Sequence, residues 1–439
     1  MESTIRPRVG VTSVASPLEV GADRAPASLD SLASLLEERG VGVVRSRAPV
    51  MTAEDASRVG VEFAAARVDA LAVAPASWFE DYLLLDLLEE CDVPLLLWPL
   101  PGMETGALCG TQQLTWYLRE LQKPCEVVFG EHVAGENLAT ALAFLRAAAL
   151  RRRLRRSKVG LAGYRVRGMT EVAVNELAMK KVLGPRIVHL DVPALLESAR
   201  AASRDETRRL WQQVRQRAGA VRLTDADGLE SVAMYLAAAR LASEHRLDAL
   251  TIGCYPNLMG KVCLAASLLA DEGIPLGCEG DVNAAVEMLV LQLLSGGPTH
   301  NTDWLEPLPD GTVVFTHCGS GSFRLAERAE DVTLAPVRLM SQGLCVLFPA
   351  KPGPVTLLNL APSGAGYQLA ILEGEAVHAE MVFPGNPLRV RFAQPVSTLI
   401  AWITREGIGH HWVAAYRHHG REIAYLAQMS GPDLRLTRP

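Results

Sequence analysis

The chain has 439 residues, of which 49% are hydrophobic and 21% are charged, and its formal net charge at pH 7 is -6. This length exceeds the size at which a single hydrophobic core stops growing, so we expect two or three domains. The negative balance provides no electrostatic footprint for nucleic acid or for an anionic membrane, and it favours small molecules or further copies of the chain as partners.

The N-terminal sequence, the lengths of the apolar runs and the cysteine spacing predict a cytoplasmic protein. The first eight residues lack the basic and then apolar design of a signal peptide, and no apolar run reaches the roughly 20 residues that span a bilayer. The eight cysteines are irregularly spaced and form no paired Cys-x-x-Cys signature. In a reducing compartment they are expected to be free thiols, core residues or ligands.

Alternating strands and helices fill the first 155 residues. This alternation indicates a parallel sheet covered by helices, and the loop after residue 98 lies where open α/β sheets usually carry ligand groups. The basic run 151–156 is either a solvated helix end or a phosphate patch, and we place the first domain boundary there, giving domain 1–155. The predicted elements are strand 8–14, helix 29–39, strand 41–44, helix 56–67, strand 70–74, helix 79–90, strand 94–98 and helix 134–150.

A second α/β series follows and gives domain 156–297. Its last two strands end next to each other, so the loop that begins at Cys254 should face Asp281. The predicted elements are strand 158–162, helix 171–182, strand 187–190, helix 227–243, strand 247–252, helix 261–270, a short strand at 273–276 and helix 282–295.

Short alternating runs after residue 297 indicate a β-rich domain, 298–439. The predicted strands are 312–316, 354–360, 367–372, 377–383 and 388–392, and a helix at 397–405 follows them. We therefore predict an α/β protein in which two doubly wound parallel-sheet domains precede an antiparallel, barrel-like C-terminal domain.

The segment 277–284 brings two carboxylates and a thiol within four positions of each other. Glu279 and Asp281 flank a glycine between a predicted strand and a predicted helix, where their oxygens can point into one pocket for cation binding or proton transfer. Alternatively, Asp281 only caps the helix by accepting backbone N–H groups of its first turn.

Four of the ten histidines, His410, His411, His418 and His419, lie within ten residues. Imidazoles at such density suit metal ligation or proton transfer, and the alternative is a surface loop. The Gly-rich segments 318–322 and 363–366 lack the G-x-G-x-x-G form of a phosphate-binding loop. The chain has no Walker motif, no G-x-S-x-G elbow and no H-E-x-x-H pair, so the common NTPases, hydrolases and zinc proteases have no signal here.

Three segments resemble the L-fucose isomerase and L-arabinose isomerase superfamily, most closely its shorter fucose-isomerase-like members. One of them, 293–297 followed by the His317-Cys318-Gly319 region, lies between the other two and fits the same spacing. Cys278-Glu279-Gly280-Asp281-Val282 is similar to the segment with the metal-binding Asp, and 411–420 is similar to the His-Trp segment with the metal-binding His. The resemblance implies an aldose-ketose isomerase that acts through an enediol with a divalent cation, commonly Mn²⁺, and a homo-oligomer, trimeric or hexameric. It implies Asp281 and His411 as metal ligands.

One position departs from this pattern, because Cys263 stands where the family has a further glutamate. Glu279 is then expected as the third ligand or the base, with assistance from Cys263 or His418, and Zn²⁺ replaces Mn²⁺ if Cys263 is a ligand. Two alternatives remain open. One is a lyase or transferase of the same fold that depends on Cys263, and the other is a non-catalytic sugar-binding relative.

Overall fold

A computed structural model describes residues 5–439 of the chain. This part divides into two compact units, one made of 5–153 and 421–431, and one made of 154–420 and 432–439. The division into domains 1–155, 156–297 and 298–439 stays a prediction. Within residues 5–439, no helix combines the length and the hydrophobicity that a membrane crossing requires.

The helices and strands are numbered separately in chain order. The helices are α1 Ala25–Glu37, α2 Ala53–Ala66, α3 Tyr82–Glu90, α4 Ala107–Glu120, α5 Glu136–Arg155, α6 Glu176–Val182, α7 Val192–Arg200, α8 Arg204–Arg215, α9 Asp225–His245, α10 Cys263–Asp271, α11 Val282–Ser295, α12 Val396–Glu406 and α13 Gly420–Ser430. The strands are β1 Arg8–Val14, β2 Gly42–Arg45, β3 Ala70–Pro75, β4 Leu95–Leu97, β5 Cys125–Val127, β6 Lys158–Ala162, β7 Arg186–Leu190, β8 Ala220–Val221, β9 Ala249–Ile252, β10 Leu276–Gly277, β11 His300–Pro307, β12 Thr312–Thr316, β13 Thr333–Ala335, β14 Cys345–Leu347, β15 Gly353–Ser363, β16 Gly366–Val377, β17 Leu388–Arg391, β18 His411–Tyr416 and β19 Leu434–Thr437.

The first unit is built on a parallel sheet of order β2-β1-β3-β4-β5. Strand β3 is an unbroken apolar run and is buried along its whole length, as expected for a strand covered on both faces. Residues of α1, α5 and α13 pack in one core cluster with the sheet, and residues of α2, α3 and α4 pack in another. The predicted α/β architecture is confirmed here.

The second unit contains a parallel sheet of order β10-β9-β6-β7. Leu276 pairs with Leu250 and Gly277 with Thr251, so β9 and β10 end at the same edge. The segment after Gly277 and the loop after β9 therefore lie side by side. Helix α11 is apolar on nearly every face, and it packs against β9 and β10 as well as against β15 and β18.

Six strands of the second unit close into an antiparallel barrel. Their order is β15-β18-β11-β12-β17-β16, and β16 pairs back onto β15. Strand β19 adds to β16 in parallel, and β14, β13 and β8 form a separate small sheet. Side chains such as Phe315, Leu357 and Trp412 pack with Trp402 of α12 in the core. The predicted barrel-like C-terminal architecture is confirmed.

The strand predicted at 377–383 is wrong. Strand β16 ends at Val377, and its last residues already pair with 389–391 of β17 in antiparallel register. The chain must therefore reverse between Val377 and Leu388, and this connection contains Pro384, which has no N–H to donate to a ladder. The apolar residues of this segment lie in the connection between the two strands, where Phe383 and Pro384 line a cavity.

Candidate active site

The turn between β10 and α11 projects Glu279 in an unusual backbone conformation. Glu279 has φ 64° and Gly280 has φ 70°, both in the left-handed region. Gly280 donates to the Ile252 carbonyl at 3.0 Å, and the Glu279 carbonyl accepts from Val166 at 3.1 Å. A Cβ at Gly280 would lie 2.5 Å from the carbonyl oxygen of Tyr164, so only glycine fits. A left-handed non-glycine residue costs about 1–2 kcal/mol, which the contacts on both sides of Glu279 offset.

Asp281 uses both carboxylate oxygens within the protein. Its Oδ1 accepts from the backbone N–H of Ala284 at 3.0 Å, so Asp281 caps α11 as the sequence suggests. Its Oδ2 lies 2.8 Å from Nδ1 of His411, and both side chains are buried. The structure thus brings together the two residues that the resemblance identified, with Asp281 directed at the inner nitrogen of the imidazole.

The register of the barrel brings two further side chains to His411. Asp303 of β11 pairs with His411 at the start of β18, and it also pairs with Thr316 at the end of β12, next to His317. These strand ends therefore deliver a carboxylate and two imidazoles to the place where Glu279 projects. Asp303 and His317 are the functional candidates that the sequence analysis did not assign.

Four side chains converge here, and we call Glu279, Asp303, His317 and His411 the carboxylate–imidazole cluster. Nε2 of His411 lies 3.2 Å from Oε2 of Glu279 and 3.6 Å from Oδ1 of Asp303. Nε2 of His317 lies 4.0 Å from each of the same two oxygens. His410 lies beside the cluster, where its Nδ1 is 3.0 Å from Glu171.

The charges of the cluster control its protonation. Burial disfavours an imidazolium at His411, but the hydrogen bond with Asp281 and the nearby carboxylate of Glu279 raise the pKa of His411 well above its usual value. Burial also opposes the charged form of His317, yet the charges of Asp303, Cys278 and Glu279 raise the pKa of His317 to about 10. For Glu279, burial raises the pKa, and the contacts with His411 and His317 outweigh it and lower the pKa. In the absence of a cation, protons therefore reside on the imidazoles.

The donor atoms of the cluster fit a hard divalent cation. Oδ1 of Asp303 and Nε2 of His411 are buried and have no hydrogen-bond partner among residues 5–439. Ligand atoms of Glu279, His317 and His411 all lie within 4.8 Å of one another. Adjacent ligands about 2.1 Å from one small cation are about 3 Å apart, which is close to the separation of Oε2 and Nε2. Oxygen donors combined with imidazole suit Mn²⁺.

The cluster opens into a cavity of about 140 Å³. Glu279, Asp303 and His317 line one part of it, and Arg338 and Phe383 line another. The Arg338 guanidinium lies 4.3 Å from the centroid of the Phe383 ring, a cation–π contact that holds the positive charge at the cavity wall. The cavity thus pairs an acidic region with a cationic side chain.

Two predicted catalytic residues lie elsewhere. Cys263, in the first turn of α10, is buried and contacts the thiols of Cys318 and Cys345. His418 lies beyond the far end of β18 from His411, is exposed, and contacts the carbonyl of Gly374 at 3.4 Å. At about 3.3 Å per residue, the five steps along β18 alone separate the two ends by roughly 17 Å. The structure does not bring His418 to the cluster.

Known proteins resemble the chain over most of its length, although no family model matches it. It is 24% identical over 389 residues to sulfoquinovose isomerase of Priestia megaterium, covering 83% of this chain and 84% of that protein. It is 23% identical over 399 residues to sulfoquinovose isomerase of Alkalicoccus urumqiensis, covering 87% and 88%. An L-arabinose isomerase of a Nocardioides species is 25% identical over 183 residues, covering 39% of this chain and 36% of that protein.

Proposed function

Because the chain belongs to the L-fucose isomerase and L-arabinose isomerase superfamily, we propose that it is a sugar isomerase that depends on a divalent cation. The observation that carries this proposal is the convergence of Glu279, Asp303 and His411 beside a cavity. Buried polar atoms in proteins are nearly always paired, so the unpaired Oδ1 of Asp303 and Nε2 of His411 support a cation as their partner.

Glu279, Asp303 and His411 would hold the cation, with His317 beside them. When bound, a Mn²⁺ ion polarises the carbonyl oxygen and the adjacent hydroxyl of an open-chain sugar. Sequence resemblance places Asp281 among the ligands. We propose instead that Asp281 accepts the Nδ1–H of His411 and thereby keeps the Nε2 lone pair directed at the cation.

We assign the proton transfer between C1 and C2 to Asp303. An aldose-ketose isomerisation through an enediol needs a base that removes the proton from one carbon and returns it to the other. The lowered pKa of Glu279 makes this residue a persistent anion and a weak base, which suits a ligand. Asp303 lines the cavity with a side chain that is 31% exposed, against 15% for Glu279. His317, which lines the cavity with Nε2 4.0 Å from Glu279 and from Asp303, would donate a proton to a substrate oxygen.

The substrate we propose is a sugar that bears an anionic substituent. Arg338 lines the same cavity as Glu279 and Asp303, and its side chain is stacked on Phe383. A guanidinium binds sulfonate-like and phosphate-like oxygens through several parallel hydrogen bonds. Sulfoquinovose, the sugar in the names of two relatives, carries a sulfonate, and a sugar of this kind would reach both the cluster and Arg338.

A nucleophilic role for Cys263 is less well supported. The hydrogen bond with Cys318 lowers the pKa of Cys263, but the bond with Cys345 and burial outweigh it and raise the pKa well above the usual value. A buried thiol of high pKa is a poor nucleophile. This weakens the lyase or transferase alternative.

The decisive experiment measures isomerisation of sulfoquinovose and of neutral aldoses before and after treatment with EDTA, with Mn²⁺ added back. We expect activity to disappear with the metal and to return with it. Glu279→Gln and His411→Ala should lose Mn²⁺ binding. Asp303→Asn should weaken it as well and, at saturating Mn²⁺, should lower kcat by roughly 10²–10⁴-fold and abolish exchange of the C2 proton with solvent. Activity that survives EDTA, or an active Asp303→Asn enzyme, would overturn the proposal.

Variants of Arg338 test the proposed specificity for a sugar with an anionic substituent. Arg338→Gln should raise KM for the sulfonated sugar by about tenfold, or about 1.4 kcal/mol, and leave kcat and the kinetics of a neutral aldose nearly unchanged. Arg338→Lys keeps the charge without the planar fork and should fall in between. An equal loss for charged and neutral sugars would remove Arg338 from substrate recognition.

A further inference from the structure

Five of the eight cysteines meet next to the carboxylate–imidazole cluster. They come from separate elements of the second unit, and side-chain contacts connect them in one row, Cys254–Cys278–Cys318–Cys263–Cys345. The order along the row differs from the order along the chain, so tertiary structure rather than a sequence motif assembles it. All five are free cysteines.

Cys318 occupies the centre of this row. Its side chain contacts Cys263 on one side and Cys278 on the other, and its Sγ lies 3.3 Å from Nδ1 of His317. Donor atoms of Cys278, His317 and Cys318 all lie within 4.8 Å of one another. Two sulfurs and one imidazole nitrogen thus lie within reach of one ion, and Cys263 contacts Cys318 from the other side. In proteins three cysteines and one histidine form a common tetrahedral zinc set.

We propose that Cys263, Cys278, Cys318 and Nδ1 of His317 bind a soft divalent cation, Zn²⁺, at a site distinct from the hard-cation site. Sulfur ligands about 2.3 Å from Zn²⁺ are roughly 3.8 Å apart in a tetrahedron, and the donor atoms of Cys278, His317 and Cys318 already lie within 4.8 Å of one another. Thiolates select Zn²⁺ over Mn²⁺, whereas carboxylates favour the reverse. The imidazole of His317 therefore lies between two chemically different sets of donors. Its Nδ1 faces the sulfur of Cys318, and its Nε2 faces the carboxylates of Glu279 and Asp303.

The site has an entry route. His317 and Cys318 line the same cavity as Glu279, so an ion that reaches the cluster also reaches the sulfur of Cys318. Cys318 is partly exposed, whereas Cys263 and Cys278 are buried behind it. Buried cysteines also serve as small apolar core residues, and that alternative predicts no metal binding. It leaves unexplained why Nδ1 of an imidazole lies against these thiols.

Co²⁺ titration of the purified full-length protein tests the site, because thiolate ligation gives intense near-ultraviolet charge-transfer bands that oxygen and nitrogen ligands do not. We expect these bands in the wild type and in Glu279→Gln, and their loss in Cys278→Ser and Cys318→Ser. Cys109→Ser removes an exposed thiol of the other unit and should leave them unchanged. Retention in Glu279→Gln makes the result independent of the proposed isomerase activity.

A measurement on the wild type avoids the risk that a cysteine variant fails to fold. X-ray absorption at the zinc edge, on protein loaded with one equivalent of Zn²⁺, should give sulfur scatterers at about 2.3 Å. A shell of oxygen and nitrogen alone would overturn the proposal. So would charge-transfer bands that persist in both folded variants, Cys278→Ser and Cys318→Ser.

Discussion

Replacing Asp281 with asparagine separates its two roles. Asparagine caps helices about as well as aspartate, so the acceptor for the Ala284 N–H remains. In the wild type, Nδ1 of His411 lies 2.8 Å from the second carboxylate oxygen of Asp281. In the variant, the asparagine amide presents to Nδ1 either its oxygen, which is a weaker acceptor than a carboxylate, or its N–H. If the amide N–H faces Nδ1, the ring proton moves to Nε2, where it blocks the lone pair that the cation requires.

We expect Asp281→Asn to weaken Mn²⁺ binding by about 10- to 100-fold, or about 1.4–2.7 kcal/mol, the usual effect of removing a carboxylate that orients a ligating histidine. Its stability against urea should change little. Asp281→Ala also removes the cap and should cost about 1 kcal/mol more in unfolding free energy. Asp331→Asn, which removes a surface carboxylate paired with Arg328, is the matched charge control.

Isothermal titration with Mn²⁺ and urea unfolding measure the two effects on the same samples. Wild-type affinity in Asp281→Asn would refute the orienting role. A complete loss of binding, equal to that of Glu279→Gln, would instead establish Asp281 as a direct ligand, as the sequence resemblance has it. The intermediate result is the one that the geometry predicts, because both oxygens of Asp281 already have protein partners.

Three further predictions concern stability and assembly. Gly280→Ala should lower the unfolding free energy in urea titration by roughly 2–4 kcal/mol, because the added Cβ would clash with the Tyr164 carbonyl. Gly311 has a similar φ of 78° but no atom near the position of a Cβ, so Gly311→Ala should cost only about 1 kcal/mol. Burial and the charge of His317 lower the pKa of His300 to about 3 in the folded protein. As the pH falls below about 6.5, the unfolded chain binds a proton at this residue and the folded chain does not. The unfolding free energy therefore falls by up to about 1.4 kcal/mol for each pH unit. His300→Phe should reduce the pH dependence of the unfolding free energy, measured with urea, between pH 6.5 and 4, whereas the exposed-site variant His189→Phe should not. The same pH dependence in wild type and in His300→Phe would contradict the assignment. Light scattering should give three or six times the 47.3 kDa of one chain, and a monomer would contradict the oligomer inferred from resemblance.

Local signals were sufficient to predict the helix that carries the site. The predicted bounds of α11 agree with the structure because each end has its own signal, Asp281 as the cap and Gly296 in the left-handed conformation after Ser295. The alternation of strands and helices likewise predicted the parallel sheets. These features depend on contacts between near neighbours in the chain, which a sequence displays directly.

Strand β11 was not predicted, because its burial is determined by strands far away in sequence. It begins with His300, Asn301, Thr302 and Asp303, which are polar and read as a loop. In the barrel, β18 and β12 pair on its two sides and bury the first three of these residues. Without β11 in the prediction, nothing indicated that Asp303 would lie opposite His411.

This strand also explains how the site can differ from the family pattern and still bind a cation. Resemblance implies a carboxylate at the position of Cys263, and its absence made Glu279 the candidate for the third ligand. In the structure, Asp303 supplies a carboxylate from β11, and Cys263 joins a group of thiols on the other side of His317. A cation requires donor atoms at the right distances, whichever elements carry them. We therefore infer that the loss of one carboxylate from α10 does not by itself abolish the hard-cation site, and Asp303→Asn tests that inference directly.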